Sequence, residues 1–143
     1  IQAVGRLDQD TTGLLLLTDD GKYLHALTHP RKHVAKYYRV TTHREITEEQ
    51  LQQLAEGVTL NNEKGMFAAT DLKLLSSHQC EFAVHQGVYH QVKRMLAAVG
   101  NHVDALHRTQ VGQLRLDDLP IASGEWCYLT AEEAMLASQY QAD

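Results

Sequence analysis

Gly5-Arg6-Leu7-Asp8-Gln9-Asp10-Thr11-Thr12-Gly13, continued by Leu14-Leu15-Leu16-Leu17 and closed by Thr18-Asp19-Asp20-Gly21, is the stretch on which the fold turns. Four consecutive leucines bounded by polar residues and glycine read as a short strand buried on both faces. The segment before them is too polar and glycine-rich for a core, yet it carries an arginine, two carboxylates and two threonines. Polar groups held against a rigid buried strand are how a fold places chemistry accurately. Asp10, Thr11 and Thr12 can equally serve their own backbone in a turn. Asp8 is the candidate functional carboxylate.

On either side of this stretch the pattern is mixed. Residues 1–7 read as a strand, and Thr18 as the cap of a helix with Tyr23, Leu24 and Leu27 facing inward, ended by His29-Pro30. Residues 36–42 alternate as a strand, with Tyr38 and Val40 on one face and Tyr37 and Arg39 on the other. Thr47-Glu48-Glu49-Gln50 predicts a capping box, Ile46 and Leu51 a hydrophobic staple, and Gly57 the helix stop. Residues 58–60 suggest a short strand, and 70–75 with 80–84 a hairpin turning at Ser76-Ser77-His78.

Residues 88–99 predict an amphipathic helix, with Val88, Val92, Met95, Leu96 and Val99 in one stripe. His90 and Arg94 point away from that stripe, and Lys93 sits at its edge. Strands are expected at 102–106, 111–116 and 126–129, and a second capping box, Thr130 to Glu133, opens a last helix. Strands and helices mix without strict alternation, which predicts α+β architecture with a mixed or antiparallel central sheet flanked by helices.

The chain of 143 residues has the length of one domain and contains no apolar run near the roughly 18 residues of a membrane span. Cys80 and Cys127 lack C-x-x-C spacing, so buried thiols in a reducing, cytoplasmic setting are expected. A net charge of -5 argues against a histone-like nucleic-acid binder, but the charges are unevenly spread. Residues 31–44 hold five of the thirteen Lys and Arg, among them Arg31, Lys32 and Lys36, and no acid. A second basic group comprises His90, Lys93 and Arg94, followed by His102, His107 and Arg108. Basic residues interleaved with Tyr37, Tyr38 and Tyr89 suit a surface that neutralises phosphate and stacks on bases.

Asp8-x-Asp10-x-Thr12-Gly13 invites two metal readings. As a calcium loop it would end at Asp19, but four leucines leave few loop oxygens free and no helix enters it. As the D-x-D-x-T signature of a haloacid-dehalogenase-like phosphatase, with Asp8 as nucleophile, it lacks the apolar strand ahead of the first aspartate. No zinc-ligand spacing, P-loop or dinucleotide turn is present, so metal and nucleotide cofactors are not expected.

Gly5-Arg6-Leu7-Asp8 with Thr12-Gly13-Leu14-Leu15 and Thr18-Asp19-Asp20-Gly21 resembles the central motif of RNA pseudouridine synthases. Lys36-Tyr37-Tyr38 resembles that family's second element, and Gly87-Val88-Tyr89-His90-Gln91-Val92-Lys93-Arg94-Met95 its third. Residues 57–64 and 90–103 look closest to the branch that modifies small-subunit (16S) ribosomal RNA. The resemblance implies cofactor-free isomerisation of a uridine in that RNA, uridine 516 in the branch it resembles, with the RNA or a small-subunit assembly intermediate as partner and a monomeric enzyme.

Asp8 would be the catalytic carboxylate, attacking either the sugar C1′ or the pyrimidine ring. Tyr38 would stack on the flipped uracil and could act as a base, while Lys93 would pair with Asp8 and favour its charged form. Arg6, Thr12, Arg31, Lys32, Lys36, His90, Gln91 and Arg94 would contact RNA. Many relatives carry arginine where Lys93 stands. Relatives also begin with an S4-like RNA-binding module and a strand bearing Lys-Pro, so residues 1–143 are expected to be a catalytic domain lacking that front end. A non-catalytic RNA-binding domain of the same fold is the alternative from a different functional class.

Overall fold

A computed structural model of the protein describes residues 1–29 and 34–139. The leucine run does not form one strand. β1 (Gln2–Val4) is short, ended by Gly5 at φ 74°, and Thr12–Gly13 forms β2. β3 (Leu16–Thr18) returns antiparallel to β1 in a two-stranded ribbon. The run therefore links two sheets. Leu14 and Leu16 are buried, whereas Leu15 and Leu17 are 40% and 61% exposed. Burial on both faces is thus corrected: side chains alternate along extended backbone, and only one side of this segment meets a core.

α1 (Gly21–Thr28) is capped by Asp20 rather than Thr18. The Asp20 carboxylate accepts the Lys22 and Tyr23 amides, and the Thr18 hydroxyl accepts the amide of Asp20, so the threonine orders the cap instead of being it. Leu27 is buried, with Tyr23 and Leu24 packed beside it, as expected. β4 (Lys36–Thr42) matches its predicted bounds. α2 (Glu48–Glu56) opens on the predicted capping box and stops at Gly57, φ 107°, with Ile46 and Leu51 both against the core. Val58 makes only an isolated bridge to Phe67, so the strand expected at 58–60 is absent.

β5 (Thr70–Ser76) and β6 (Gln79–Val84) form the predicted hairpin. α3 is shorter than expected, Gln91–Ala98. His90 takes the left-handed conformation (φ 48°, ψ 40°), which a helix cannot propagate through, so residues 88–90 form a turn instead. Its stripe is nonetheless the predicted one: Val92, Met95 and Leu96 are buried, with Val88 and Val99 packed at the edge.

β7 (Val103–Val111) is one long strand where two were expected, and β8 (Leu114–Arg115) folds back on it. Residues 116–118 form a 3-10 turn, and 126–129 pair with no strand. In that last segment Cys127 and Leu129 face the core while Trp126 and Tyr128 stand exposed, ring centroids 5.2 Å apart. The alternation is present without a ladder partner. α4 (Ala131–Ser138) carries the second capping box; it buries Ala137 fully and leaves Met135 exposed.

The large sheet runs β2-β7-β4-β6-β5, with β8 also on β7. β2 is parallel to β7 and the remaining pairs are antiparallel, which makes the sheet mixed and the fold α+β. Two cores result. One joins Val40, Phe82, Leu54, Met95 and Leu96 beneath α2 and α3; the other joins Val4, Leu14, Leu16, Leu27, Val111 and Ala137 near α1 and α4. Burying a side chain such as Leu54 or Phe82 contributes roughly 1.5–3 kcal/mol. A cleft lies between the two cores. Cys80 is buried, its thiol pushed up to about 11 by burial and by the charge of Glu81; it and Cys127 are free.

Candidate active site

The cleft has a volume of about 1520 Å³ and takes its walls from both cores. Small-molecule sites usually span roughly 300–1,000 Å³, so this one suits a segment of polymer. Asp8 enters from the loop between β1 and β2. Gly5 turns the chain out of β1, and the Thr11 amide donates to the Asp8 carbonyl at 2.9 Å, closing a tight turn around Asp10. The next residues are clamped to β7. The Leu14 amide donates to the Arg108 carbonyl at 2.9 Å, the Arg108 Nε donates to the Leu14 carbonyl at 2.8 Å, and the Thr12 hydroxyl shares a 2.8 Å hydrogen bond with His107 Nδ1. The loop carrying Asp8 is thereby anchored at both ends to strand backbone.

From the opposite wall, the first turn of α3 supplies Lys93. Its Nζ lies 3.4 Å from Asp8 Oδ2 and 2.6 Å from Asp10 Oδ1. The shorter contact belongs to Asp10, which the sequence left open between turn and function. That hydrogen bond is the first cause holding the Asp10 carboxyl below the usual carboxylate range and raising Lys93 above the usual lysine range. Asp10 is 75% exposed on its side chain against 27% for Asp8, so Asp8 is the carboxylate presented inside the cleft. The left-handed turn at His90 brings its Nε2 to 3.9 Å from Asp8 Oδ1, with the ring stacked on exposed Tyr89.

Tyr38 and Lys36 line the cleft from β4, whereas Tyr37 and Arg39 face a separate hollow of about 540 Å³ beyond the sheet. The predicted alternation of that strand is thus the arrangement found. Arg6, Gln91 and His90 also line the cleft, whereas Thr12 is exposed outside its lining, its hydroxyl held by His107. Gln91 is largely buried: its Nε2 donates to Gln86 Oε1 at 3.0 Å and its Oε1 has no partner. Arg94 points elsewhere. Its guanidinium donates to Glu63 Oε2 at 3.0 Å, to the Tyr89 carbonyl at 2.9 Å and to the Asn61 carbonyl, tying α3 to the 61–63 loop. Arg31 and Lys32, expected at RNA, lie outside the described residues.

The sequence counted Arg108 only within a basic group and not as a site residue, although it is only 4% exposed and reaches the cleft. The signal was period two: Leu106 is buried on β7, so Arg108 had to share its face. Among the described residues no group of three or more His, Cys, Asp or Glu could hold a metal ion. Asp8 and Asp10 converge on an ammonium, which is not the donor set of a calcium loop or of a magnesium-dependent phosphatase.

Residues 1–98 match the family described as RNA pseudouridylate synthase. Over 133 residues the chain is 47% identical to the ribosomal small subunit pseudouridine synthase A of Yersinia pestis, covering 93% of this chain and 56% of that protein. The protein of the same description from Escherichia coli (strain K12) is also 47% identical, with 57% of its length covered. A crystal structure titled as pseudouridylate synthase superposes with a TM-score of 0.88 at 42% identity, over 94% of this chain and 58% of that one. The chain spans a little over half the length of each.

Proposed function

The chain belongs to the RNA pseudouridylate synthase family, and from that premise we propose that it converts a uridine in small-subunit ribosomal RNA to pseudouridine. The observation that carries the reading is the Asp8 carboxylate, paired with Lys93 inside a cleft that Tyr38 also lines. The reaction is an internal rearrangement. The C1′–N1 bond breaks, the ring turns, a C1′–C5 bond forms, the C5 proton leaves and N1 gains one. Nothing is oxidised or reduced and no group is added, so side chains suffice.

Asp8 attacks the sugar C1′ or the pyrimidine ring. Lys93 holds the carboxylate in place and supplies the opposite charge; Tyr38 stacks on the displaced uracil and serves as a base. A uridine in folded RNA must leave its stack to meet these groups, at a cost of a few kcal/mol that phosphate contacts and an aromatic ring can offset. Arg6, Lys36 and His90, which line the same cleft, are the RNA contacts this reading favours. The target uridine and the monomeric state expected from the resemblance belong to the same proposal.

The test is tritium release from C5-labelled uridine in small-subunit ribosomal RNA. Asp8→Asn should abolish release while leaving RNA binding in place. Turnover comparable to the parent would remove Asp8 from the mechanism. RNA binding without release by the parent would favour a binding module of the same fold.

A further inference from the structure

Of the five Lys and Arg that line the cleft, only Lys93 enters an ion pair among the described residues, and two of the other four stand on neighbouring strands of the sheet. Lys36 on β4 and Arg108 on β7 sit on neighbouring strands, and both line the cleft beside Tyr38. Tyr38 pairs directly with Arg108 in the register, and Lys36 stands two residues before Tyr38, so the three side chains share one face of the sheet. The β4–β7 register shifts between Tyr37 and Tyr38, an irregularity of the kind that re-aims side chains beside functional sites.

Ion pairs among the described residues engage Arg39, Lys93, Arg94 and three histidines, but neither Lys36 nor Arg108. Arg108 donates through Nε to the Leu14 carbonyl, which fixes the plane of its guanidinium. Lys36 is held below the usual lysine range, first by burial and then by the positive charge of Arg108. Two like charges withdrawn from water without a counter-ion destabilise the folded chain. The arrangement becomes favourable when an anion arrives between them.

We infer that Lys36 and Arg108 form an anion subsite for one phosphodiester of the RNA strand, the phosphate attached to the nucleoside lying between Asp8 and Tyr38. The inference rests on the proposed function for the nucleoside and on the unpaired cations for the phosphate. A planar guanidinium beside a point-charge ammonium matches the several oxygens of a phosphate. The cleft's size suits a strand better than a free carboxylate ligand. The fixed phosphate would register the ribose against Asp8, which a stacked ring alone leaves free to slide.

Uridine, uridine 5′-monophosphate and uridine 3′-monophosphate are to be titrated by amide chemical shift into the parent, Lys36→Met and Arg108→Lys. Lys36→Met keeps the apolar stem and removes the charge, so its thermal midpoint should equal or exceed that of the parent. One monophosphate should bind the parent about tenfold more tightly than uridine, the worth of a single charge-assisted contact. In Lys36→Met that advantage should fall to about threefold or less, with Arg108→Lys between. An advantage missing from the parent, or one above that limit in Lys36→Met, overturns the subsite. Tritium release by the parent separates the two readings. Release without a phosphate advantage removes the subsite alone; an advantage that depends on Lys36, without release on small-subunit RNA, removes the proposed function alone.

Discussion

A single methyl group at Gly13 should do more harm than its size suggests. Gly13 has φ 117°, and a Cβ placed there would lie 2.2 Å from the Arg108 carbonyl oxygen and 2.5 Å from the Arg108 amide nitrogen. These are backbone atoms in the body of β7 and cannot rotate away, so β2 must lift from β7. The backbone conformation costs a side-chain-bearing residue about 1–3 kcal/mol. Separation also removes the hydrogen bond from the Leu14 amide to the Arg108 carbonyl and the one from Arg108 Nε to the Leu14 carbonyl. Those contribute about 1 kcal/mol and about 1.5–3 kcal/mol. Gly13→Ala should therefore lose about 3.5–7 kcal/mol, a large part of the roughly 5–15 kcal/mol of a typical domain. Gly5→Ala is the matched control, because Gly5 also has positive φ (74°) but nothing within 4 Å of its added Cβ. It should lose only the about 1–2 kcal/mol of left-handed strain. Urea unfolding of parent and both variants gives the stabilities. Tritium release from whatever Gly13→Ala remains folded should fall about 10²-fold, because Asp8 hangs from the displaced strand. If Gly13→Ala stays within about 1 kcal/mol of Gly5→Ala and turns over like the parent, the β2–β7 contact is soft and does not position Asp8.

Two further outcomes follow from the ion contacts. Asp10→Asn removes the first cause of the raised Lys93 pKa. Lys93 carries its charge below that pKa and loses it as pH rises through it, so the alkaline limb of the kcat/KM profile should move to lower pH while turnover at neutral pH persists; an unmoved limb would show that Asp8 alone sets Lys93. Arg94→Gln breaks the tie from α3 to Glu63 and the Asn61 carbonyl, and at this partly exposed site should cost about 1 kcal/mol in urea unfolding with the salt slope of RNA binding unchanged. A shallower slope would give Arg94 a phosphate instead.

What could be read from the sequence was what local chemistry writes. Both capping boxes, the bounds of β4 and the stripe of α3 depend on neighbours within four residues, and all are found. What failed depends on partners far along the chain. The leucine run looked like one buried strand because nothing local says that Thr12–Gly13 pairs with β7 while Leu16–Thr18 pairs with β1. Residues 126–129 alternate like a strand but find no edge to join. The meeting of Asp8, Tyr38 and Lys93 in one cleft was expected only through a resemblance spread over three motifs, since spacing alone does not join motifs some thirty to fifty residues apart. Asp10 was left open between turn and function because turn chemistry explains it until Lys93 arrives from the opposite wall. Arg108 was grouped with a basic surface and not singled out because a charged residue in a strand is read as exposed, and only burial shows otherwise.

The proposed RNA substrate is a polyanion, so a chain with net charge -5 needs its charges segregated, and they are. Glu48, Glu49 and Glu56 lie on α2, Asp117 and Asp118 in the 3-10 turn, and Glu132 and Glu133 at the start of α4; none lines the cleft. The cleft itself holds five cations, Arg6, Lys36, Lys64, Lys93 and Arg108, against three carboxylates, Asp8, Asp10 and Glu63. Each of those carboxylates is already within an ion pair with Lys93 or Arg94. At physiological salt charges are screened beyond about 8 Å, so an approaching phosphate feels the cleft and not the total. Acids kept on the remaining surface weaken adhesion of RNA in unproductive orientations, because like charge there opposes it. Net charge, read alone, points away from nucleic acid; its distribution supports the proposed reading, in which the strand enters the cleft that holds Asp8.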